Sequence, residues 1–158
     1  MLSFENDDGV FNYRVIGVLI HKGKILLQKS HRDNYWFLPG GRVEFHEESI
    51  ETLKREMKEE INSEIEVERL ICLSENFFNN KNKQFHELGL YYLAHFKEGE
   101  PVWGFGEEFE VREAEKPDPI KFKWFPFSKV KKIESRPEII KEFIKPLPNQ
   151  VLHFVTKD

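Results

Sequence analysis

Residues 41–60 of the chain read GRVEFHEESIETLKREMKEE, and this stretch decides the fold around it. Its apolar side chains recur at intervals of three and four residues, the spacing that brings side chains to one face of an α-helix. The pattern therefore predicts a helix over residues 46–62 whose apolar stripe faces a core. Asparagine follows the stripe at position 62, and this residue tolerates the left-handed conformation that often ends a helix. The stripe consists of Ile50, Leu53, Met57 and Ile61.

The acidic residues of this predicted helix are concentrated on one flank. At about 100° of rotation per residue, Glu56, Glu59 and Glu60 lie beside the apolar stripe, whereas Glu51 and Lys54 face solvent. Like charges three or four residues apart repel each other by roughly a few tenths of a kcal/mol. A hard cation such as Mg²⁺, which prefers oxygen ligands, would relieve that repulsion. The composition of the helix alone leaves two interpretations open, a metal site and an ordinary solvated acidic face.

The sequence on either side predicts a mixed α+β domain. Two β-rich runs, 13–20 and 25–28, flank a polar, glycine-containing turn and favour a hairpin. A Pro-Gly-Gly turn and a short strand at 42–45 lead into the helix. The later predicted elements are strands at 65–73, 88–96 and 120–125, a long acidic loop at 97–119, and a helix at 136–144 with proline in its first turn. The tail at 148–158 carries no interpretable pattern. We expect a single domain over residues 1–158.

Composition and charge exclude several classes of protein. The 158 residues are 39% hydrophobic and 33% charged, a balance typical of a folded domain rather than a disordered chain. The net charge of −4 lacks the positive field of a protein that binds bulk nucleic acid. A single cysteine, Cys72, lies in an apolar run, so we expect a buried thiol and no disulfide. The start of the chain has no signal-peptide pattern and no apolar run is long enough to span a bilayer, which predicts a cytoplasmic protein with no membrane partner.

The spacing from the turn into the helix resembles a known signature. Residues 41–60 fit the pattern Gly-x5-Glu-x7-Arg-Glu-apolar-x-Glu-Glu, which is similar to the motif of the Nudix hydrolase superfamily. The chain departs from that motif at Asn62 and Ser63, where the family has glycine and an aliphatic residue. The segment 36–41 also looks like the family's entry into the motif. The resemblance implies a Nudix-type α/β/α sandwich with a mixed sheet, with Ile65 taking over the packing role of the missing aliphatic residue.

The resemblance also implies an activity. Nudix hydrolases cleave a nucleoside diphosphate linked to another group, by attack of water on phosphorus, and the substrate here would be a small molecule of that class. A pyrophosphate is anionic, so bridging divalent ions would neutralise its charge and acidify the attacking water. The alternative is a catalytically weak sensor of nucleotides or metabolites with the same fold. The sequence leaves the specific substrate and the oligomeric state open, a homodimer included.

The family's roles carry over to matching positions of this chain. The implied metal set is Glu56, Glu59 and Glu60 with the backbone carbonyl of Gly40, and the implied ion is Mg²⁺ or Mn²⁺. Arg55 and Glu47 would support that set as further members of the catalytic group. Glu47 also has a water-mediated metal role open to it, and Arg55 a direct contact with phosphate.

Residues outside the motif are candidates for substrate binding. Lys29 and Arg32 precede the motif and could contact phosphate, and Trp36 could stack on a base. In the predicted loop 97–119, Glu107 and Glu108 are our choice for an additional carboxylate, and either one competes with Glu56 for the role of general base. Each of these residues also fits a bland interpretation, as a solvated loop residue or, for the tryptophan, as packing at the rim of the core.

Overall fold

A mixed β-sheet organises the chain in the computed structural model, which describes residues 1–100, 105, 108–111, 118–144 and 146–157. One long helix, α1 (Ser49–Ile61), a short helix, α2 (Phe127–Val130), and a 3₁₀ helix (Glu138–Glu142) accompany the sheet in these residues. None of these helices is long and apolar enough to cross a membrane. The strands are β1 (Ser3–Asn6), β2 (Gly9–His21), β3 (Lys24–Ser30), β4 (Gly40–Arg42), β5 (Ile65–Asn80), β6 (Lys83–Phe96), β7 (Glu108–Val111), β8 (Ile120–Pro126) and β9 (Leu152–Lys157).

The strand order explains how α1 is placed. The strands run β7-β8-β3-β2-β6-β5-β9, and β1 and β4 each pair with β2. Strand β2 is parallel to β6 and β5 is parallel to β9, while the other pairs are antiparallel. Near its end β2 pairs with β3, whereas nearer its start it pairs with β4. Because β4 leads into α1, this pairing fixes the start of the helix over the middle of β2.

Two cores lie on opposite faces of the sheet, and alternation along β2 separates them. Val15 and Leu19 pack with Leu53 and Met57 of α1 on one face. Ile16 packs on the other face, against the C-terminal segment that contains the 3₁₀ helix. Gly17 also faces α1, since a Cβ there would come within 3.1 Å of the Leu53 side chain. The result is the predicted mixed sheet between two layers.

The predicted N-terminal hairpin and main helix are confirmed. Lys22 and Gly23 occupy the turn between β2 and β3 with positive φ values of 45° and 72°, as a tight hairpin turn requires. The helix begins at Ser49, three residues later than predicted, because residues 46–48 form the turn that precedes it. It ends at Asn62, whose φ of 50° and ψ of 38° are left-handed. Cys72 is buried, as expected, and burial raises the pKa of its thiol to about 12.

Several predicted elements differ from the structure. The short strand covers Gly40–Arg42 rather than residues 42–45, since the Pro-Gly-Gly segment itself pairs with β2. Strands β5 and β6 extend up to a tight turn at Lys81 and Asn82, whose φ values are 50° and 64°. The exposed polar residues 79–83, between the two predicted strands, form the end of this hairpin.

The C-terminal third contains the other corrections. The helix predicted over 136–144 is a 3₁₀ helix of five residues that begins after Pro137. The predicted loop 97–119 contains strand β7, which pairs with β8. The tail holds strand β9 beside β5. Local pattern missed β9 because its six residues pair with residues of β5 that lie eighty positions earlier in the chain.

Candidate functional site

The centre of the candidate site is an ion pair between Arg55 on α1 and Glu47 in the turn before it. The guanidinium donates from Nε to Oε1 of Glu47 at 2.8 Å and from Nη2 to Oε2 at 3.0 Å. This two-pronged contact suits the planar guanidinium group and fixes its orientation. It lowers the pKa of the Glu47 carboxyl to about 2 and raises the pKa of Arg55 above its ordinary value. Glu47 is therefore held as a carboxylate.

Further donors complete the environment of Glu47, and one of them was missed by sequence reasoning. The buried Thr52 hydroxyl donates to Oε2 at 2.7 Å, and the backbone N–H of Glu44 donates to the same oxygen at 3.2 Å. Thr52 is not a fixed position of the motif. The available signal was its place five residues after Glu47 in the predicted helix. The turn also contains a left-handed residue, His46, with φ of 60°.

Glu56 is held between Arg55 and the glycine strand. Arg55 Nη1 donates to Glu56 Oε1 at 2.9 Å, and the Glu56 side chain is only 16% exposed. A Cβ at Gly41 would lie 2.1 Å from the Glu56 carboxyl carbon, so only glycine leaves room for this carboxylate. A Cβ at Gly40 would lie 2.1 Å from the backbone oxygen of Val15. The two glycines thus let β4 pass closely between β2 and the helix.

The other two carboxylates of the flank differ sharply in burial. Glu60 is only 3% exposed, in the layer where α1 meets the sheet. Glu59 has a 57% exposed side chain and meets Arg55 Nη1 through its Oε2 at 3.3 Å. Arg55 thus contacts three carboxylates at once, those of Glu47, Glu56 and Glu59. This arrangement offsets the like-charge repulsion that the sequence predicts for the flank.

The donor set fits a hard divalent ion in its chemistry. Glu56, Glu59 and Glu60 and the carbonyl of Gly40 offer only oxygen, which suits Mg²⁺ or Mn²⁺. The glycines at positions 40 and 41 leave a cradle that a Cβ would fill. In the described part of the chain, however, no three His, Cys, Asp or Glu side chains are arranged to hold one ion. Glu59 has a longer contact with Arg55 than Glu56 has, 3.3 Å against 2.9 Å, and its side chain is more exposed. Rotation of the Glu59 side chain would bring its oxygens to a cation.

Two of the predicted substrate-binding residues lie on the opposite face of the sheet. Lys29 lies two residues after Leu27 in β3 and therefore shares its face, and Leu27 packs in the core away from α1. The Lys29 ammonium lies 5.7 Å from the centre of the Trp36 ring. Trp36 packs edge-to-face on Phe125 in that same core, with ring centres 4.9 Å apart. The structure therefore brings Lys29 and Trp36 together but separates them from the carboxylates of α1. Their role in substrate binding stays a prediction.

The remaining candidates lie near the edge of the sheet. Arg32 pairs with Asp118 at 2.6 Å. Glu108 belongs to β7 rather than to a loop, and its carboxylate pairs with Lys121 at 3.4 Å. Its neighbour Phe109 packs on the α1 side, so Glu108 faces the other way. Glu107, the second candidate for an additional carboxylate, lies outside the described residues.

Comparison with known proteins identifies a matching family. A model of the NUDIX domain matches residues 12–145 of the chain. An 8-oxo-dGTP diphosphatase from Buchnera aphidicola subsp. Schizaphis graminum is 40% identical over 55 residues, which cover 32% of this chain and 42% of that protein. The chain thus matches less than half the length of this relative.

Solved structures share the fold over most of the chain. A MutT NUDIX hydrolase from Burkholderia pseudomallei is 26% identical with a TM-score of 0.59, covering 84% of this chain and 96% of that one. A NUDIX hydrolase from Nitrosomonas europaea has a TM-score of 0.62 at 16% identity and covers 96% of this chain and 82% of that one. At so low an identity the second likeness shows the fold alone.

Proposed function

The chain belongs to the Nudix hydrolase superfamily, and on that premise we propose that it is a pyrophosphohydrolase for a nucleoside diphosphate linked to another group. Water attacks phosphorus and the bond between the two phosphates breaks. The reaction requires neutralisation of a polyanion rather than a covalent intermediate. The chain has an overall charge of −4, so the positive charge for this step would have to come from bound divalent ions or from local basic residues.

The observation that carries this proposal is the network of Glu47, Arg55 and Glu56 against the glycines of β4. The Arg55 guanidinium donates two hydrogen bonds to the ionised Glu47 carboxylate. The same guanidinium also donates to Glu56 and so orients the Glu56 carboxylate over Gly41. A mere acidic surface needs neither a glycine cradle nor a buried carboxylate. A site that must place several oxygens around a cation needs both. The network therefore favours the metal interpretation over the solvated acidic face.

Nudix hydrolases generally use divalent metal ions, and we propose Mg²⁺ or Mn²⁺ for this chain. Glu56, Glu59 and Glu60 and the Gly40 carbonyl would hold the ion, which supplies charge neutralisation and acidifies bound water. Arg55 and Glu47 position Glu56, and Glu56 is our choice for the group that accepts the proton of the attacking water. Glu107 and Glu108 stay the rival candidates for that role.

Chelation tests the metal dependence directly. We expect excess EDTA to abolish hydrolysis and added Mg²⁺ or Mn²⁺ to restore it, because the donor set is all oxygen. Circular dichroism should stay unchanged on chelation, since the core does not depend on the ion. Full hydrolysis in EDTA would overturn the proposed chemistry. Product analysis for phosphate, pyrophosphate and nucleoside monophosphate identifies the bond that breaks.

A second candidate function is a sensor that binds nucleotides or metabolites without turnover. The complete set of motif carboxylates argues for the enzyme, because a sensor has no need to retain them. A hydrolysis screen separates the two functions, using nucleoside triphosphates, dinucleoside polyphosphates, sugar nucleotides and ADP-ribose with each metal. We also propose that residues 1–158 form a single Nudix domain. The cytoplasmic location stays a prediction, and the oligomeric state stays open.

A further inference from the structure

Two side-chain hydroxyls at the start of α1 have different partners. Glu48 occupies the cap position of the helix and makes no side-chain cap bond. The Ser49 hydroxyl lies 2.7 Å from the Tyr92 hydroxyl of β6. The Thr52 hydroxyl donates to Oε2 of Glu47, also at 2.7 Å. Both bonds tie the first residues of the helix to their surroundings, but only the Thr52 bond reaches the candidate site.

The Thr52 hydroxyl is a rigid donor. The Thr52 side chain is fully buried, with 0% exposure, and two acceptors lie within reach of its hydroxyl. Oε2 of Glu47 is at 2.7 Å and the backbone oxygen of Glu48 is at 3.3 Å, so the single hydroxyl proton goes to Glu47. A short β-branched side chain turns about one bond only and is stiff. Thr52 therefore presents its proton from a position that the helix backbone determines.

The contact with Thr52 is passed on to Glu56 through two further side chains. Arg55 lies next to Thr52 on the helix surface and donates two hydrogen bonds to Glu47, from Nε at 2.8 Å and from Nη2 at 3.0 Å. The same guanidinium donates from Nη1 to Glu56 at 2.9 Å. Because the guanidinium is planar, a rotation of Glu47 would turn Nη1 away from Glu56. The bond from Arg55 to the Arg42 carbonyl is longer, at 3.3 Å, and resists that rotation less.

Arg55 alone does not fix the Glu47 carboxylate. A long arginine side chain turns about several bonds, so Arg55 and Glu47 can move together as an ion pair. Two other donors restrain Oε2 of Glu47, the backbone N–H of Glu44 at 3.2 Å and the Thr52 hydroxyl at 2.7 Å. Of these two donors only Thr52 belongs to α1, which also carries Glu56. The Thr52 bond therefore fixes the ion pair relative to the helix that carries the candidate carboxylates.

We propose that Thr52 is a positioning residue for hydrolysis, because its hydroxyl fixes Glu47 and, through Arg55, the carboxylate of Glu56. The proposal rests on the proposed function, in which Glu56 holds the metal ion and accepts the proton of the attacking water. Thr52 is not a fixed position of the motif in residues 41–60, so the motif does not assign this role. A displacement of a catalytic group by about 1 Å can lower a rate about 100-fold, so the loss of one positioning hydroxyl has a measurable effect.

Substitution of Thr52 tests the hydroxyl itself. T52V keeps the β-branched shape and replaces the hydroxyl with a methyl group, whereas T52S keeps the hydroxyl and loses the methyl group. With saturating Mg²⁺ we expect T52V to lower kcat about ten-fold and to leave KM within about two-fold of the wild type, because no residue proposed to bind substrate is changed. T52S should keep kcat within about two-fold of the wild type. Equal losses of kcat in T52V and T52S would show that the methyl group matters rather than the hydrogen bond, and would overturn the proposal.

Ser49 provides the matched control. S49A removes a hydroxyl bond of the same length from the same end of the helix, but the partner of that hydroxyl is Tyr92 rather than Glu47. Both S49A and T52V should lower the urea midpoint of unfolding, since each variant loses a hydrogen bond. Only T52V should lower kcat. Equal losses of kcat in the two variants would show that any loosening of the helix start impairs catalysis, and would overturn the positioning role.

A double-mutant cycle measures the contact between Thr52 and Glu47 without turnover. T52V, E47A and the double variant are unfolded in urea in the presence of EDTA. We expect T52V to lower the midpoint less in the E47A background, since the partner of the hydroxyl is already absent there. Additive midpoint shifts, or a wild-type kcat in T52V, would overturn the positioning role and leave the proposed function standing. A non-additive cycle in a chain that hydrolyses no substrate of the screen would overturn the proposed function, and this proposal with it.

Discussion

The two sides of helix α1 use the same residue types with opposite consequences. On the solvent side, Glu51 pairs with Lys54 at 3.0 Å, and both side chains are about half exposed. Such a pair contributes about 0–1 kcal/mol, since water competes for both charges. On the flank next to the sheet, Arg55 engages Glu47 through two hydrogen bonds and also reaches Glu56. The comparison shows that burial and the neighbouring glycine strand, rather than acidic composition, distinguish a site from a solvated face.

The largest expected effect is on kcat, and it should differ between the two sides of the helix when one carboxylate is neutralised on each side. We predict that E60Q lowers kcat by about two orders of magnitude or more, on the order of 3 kcal/mol in the barrier, because the proposed metal set loses its most buried carboxylate. E51Q, on the solvent side of the same helix, should change kcat less than about two-fold. Steady-state kinetics with saturating Mg²⁺ measures both. Equal damage from the two variants would show that the faces of the helix are assigned wrongly.

The next largest effect is on stability and comes from changing Arg55, because its guanidinium group contacts three carboxylates. R55K keeps the positive charge but cannot reproduce the two parallel hydrogen bonds to Glu47. We expect the free energy of unfolding to fall by about 2–3 kcal/mol, less than for a fully buried pair since Arg55 is partly exposed. Urea unfolding measures this. K54Q, the matched change on the solvent side, should stay within about 0.5 kcal/mol of the wild type. Wild-type stability in R55K would mean that the positive charge alone, without the two parallel hydrogen bonds, holds Glu47.

The pH dependence of the free energy of unfolding should also distinguish the two sides of α1, because only the side next to the sheet contains Glu47, whose pKa is lowered. Its pKa is about 2 in the folded chain against an ordinary value of 4.5, so ionised Glu47 stabilises the fold above about pH 4.5. That contribution is lost as the pH falls from 4.5 towards 2. Between pH 6 and pH 3 the wild type should lose about 2 kcal/mol of stability that E47Q, which cannot ionise there, does not lose.

The measurement is urea unfolding of both proteins in EDTA at several pH values. E51Q serves as the control, since it removes an exposed carboxylate and should follow the wild-type pH dependence closely. Parallel curves for the wild type and E47Q would show that the Arg55 contact does not hold the charge of Glu47. The comparison between the two sides of α1 would then lose its electrostatic basis.

The sequence predicted the helix and its flank well because both depend on short-range pattern. The stripe at Ile50, Leu53, Met57 and Ile61 is buried apart from the partly exposed Ile50, and Glu60 lies beside it as the wheel predicts. What could not be read was pairing between distant segments. Strand β9 depends on β5, and β4 depends on β2. Four aromatic side chains become neighbours for the same reason, through the register of four strands: Phe4, Phe11, His86 and Phe77.

The smallest predicted effect concerns the end of the helix, which belongs to neither side. Asn62 is left-handed, and its N–H donates to the Lys58 carbonyl at 3.0 Å. N62A should lower the free energy of unfolding by about 1 kcal/mol, because an alanine Cβ strains this conformation. N62G removes that strain but adds freedom to the unfolded chain, so it should stay within about 0.5 kcal/mol of the wild type. Thermal and urea unfolding measure both variants, and kcat should be unchanged in each, since Asn62 is not one of the residues of the proposed metal set. A loss of kcat in N62G would mean that the position of Glu59 and Glu60 depends on how the helix ends. The distinction between the two sides would then extend to the last turn of α1.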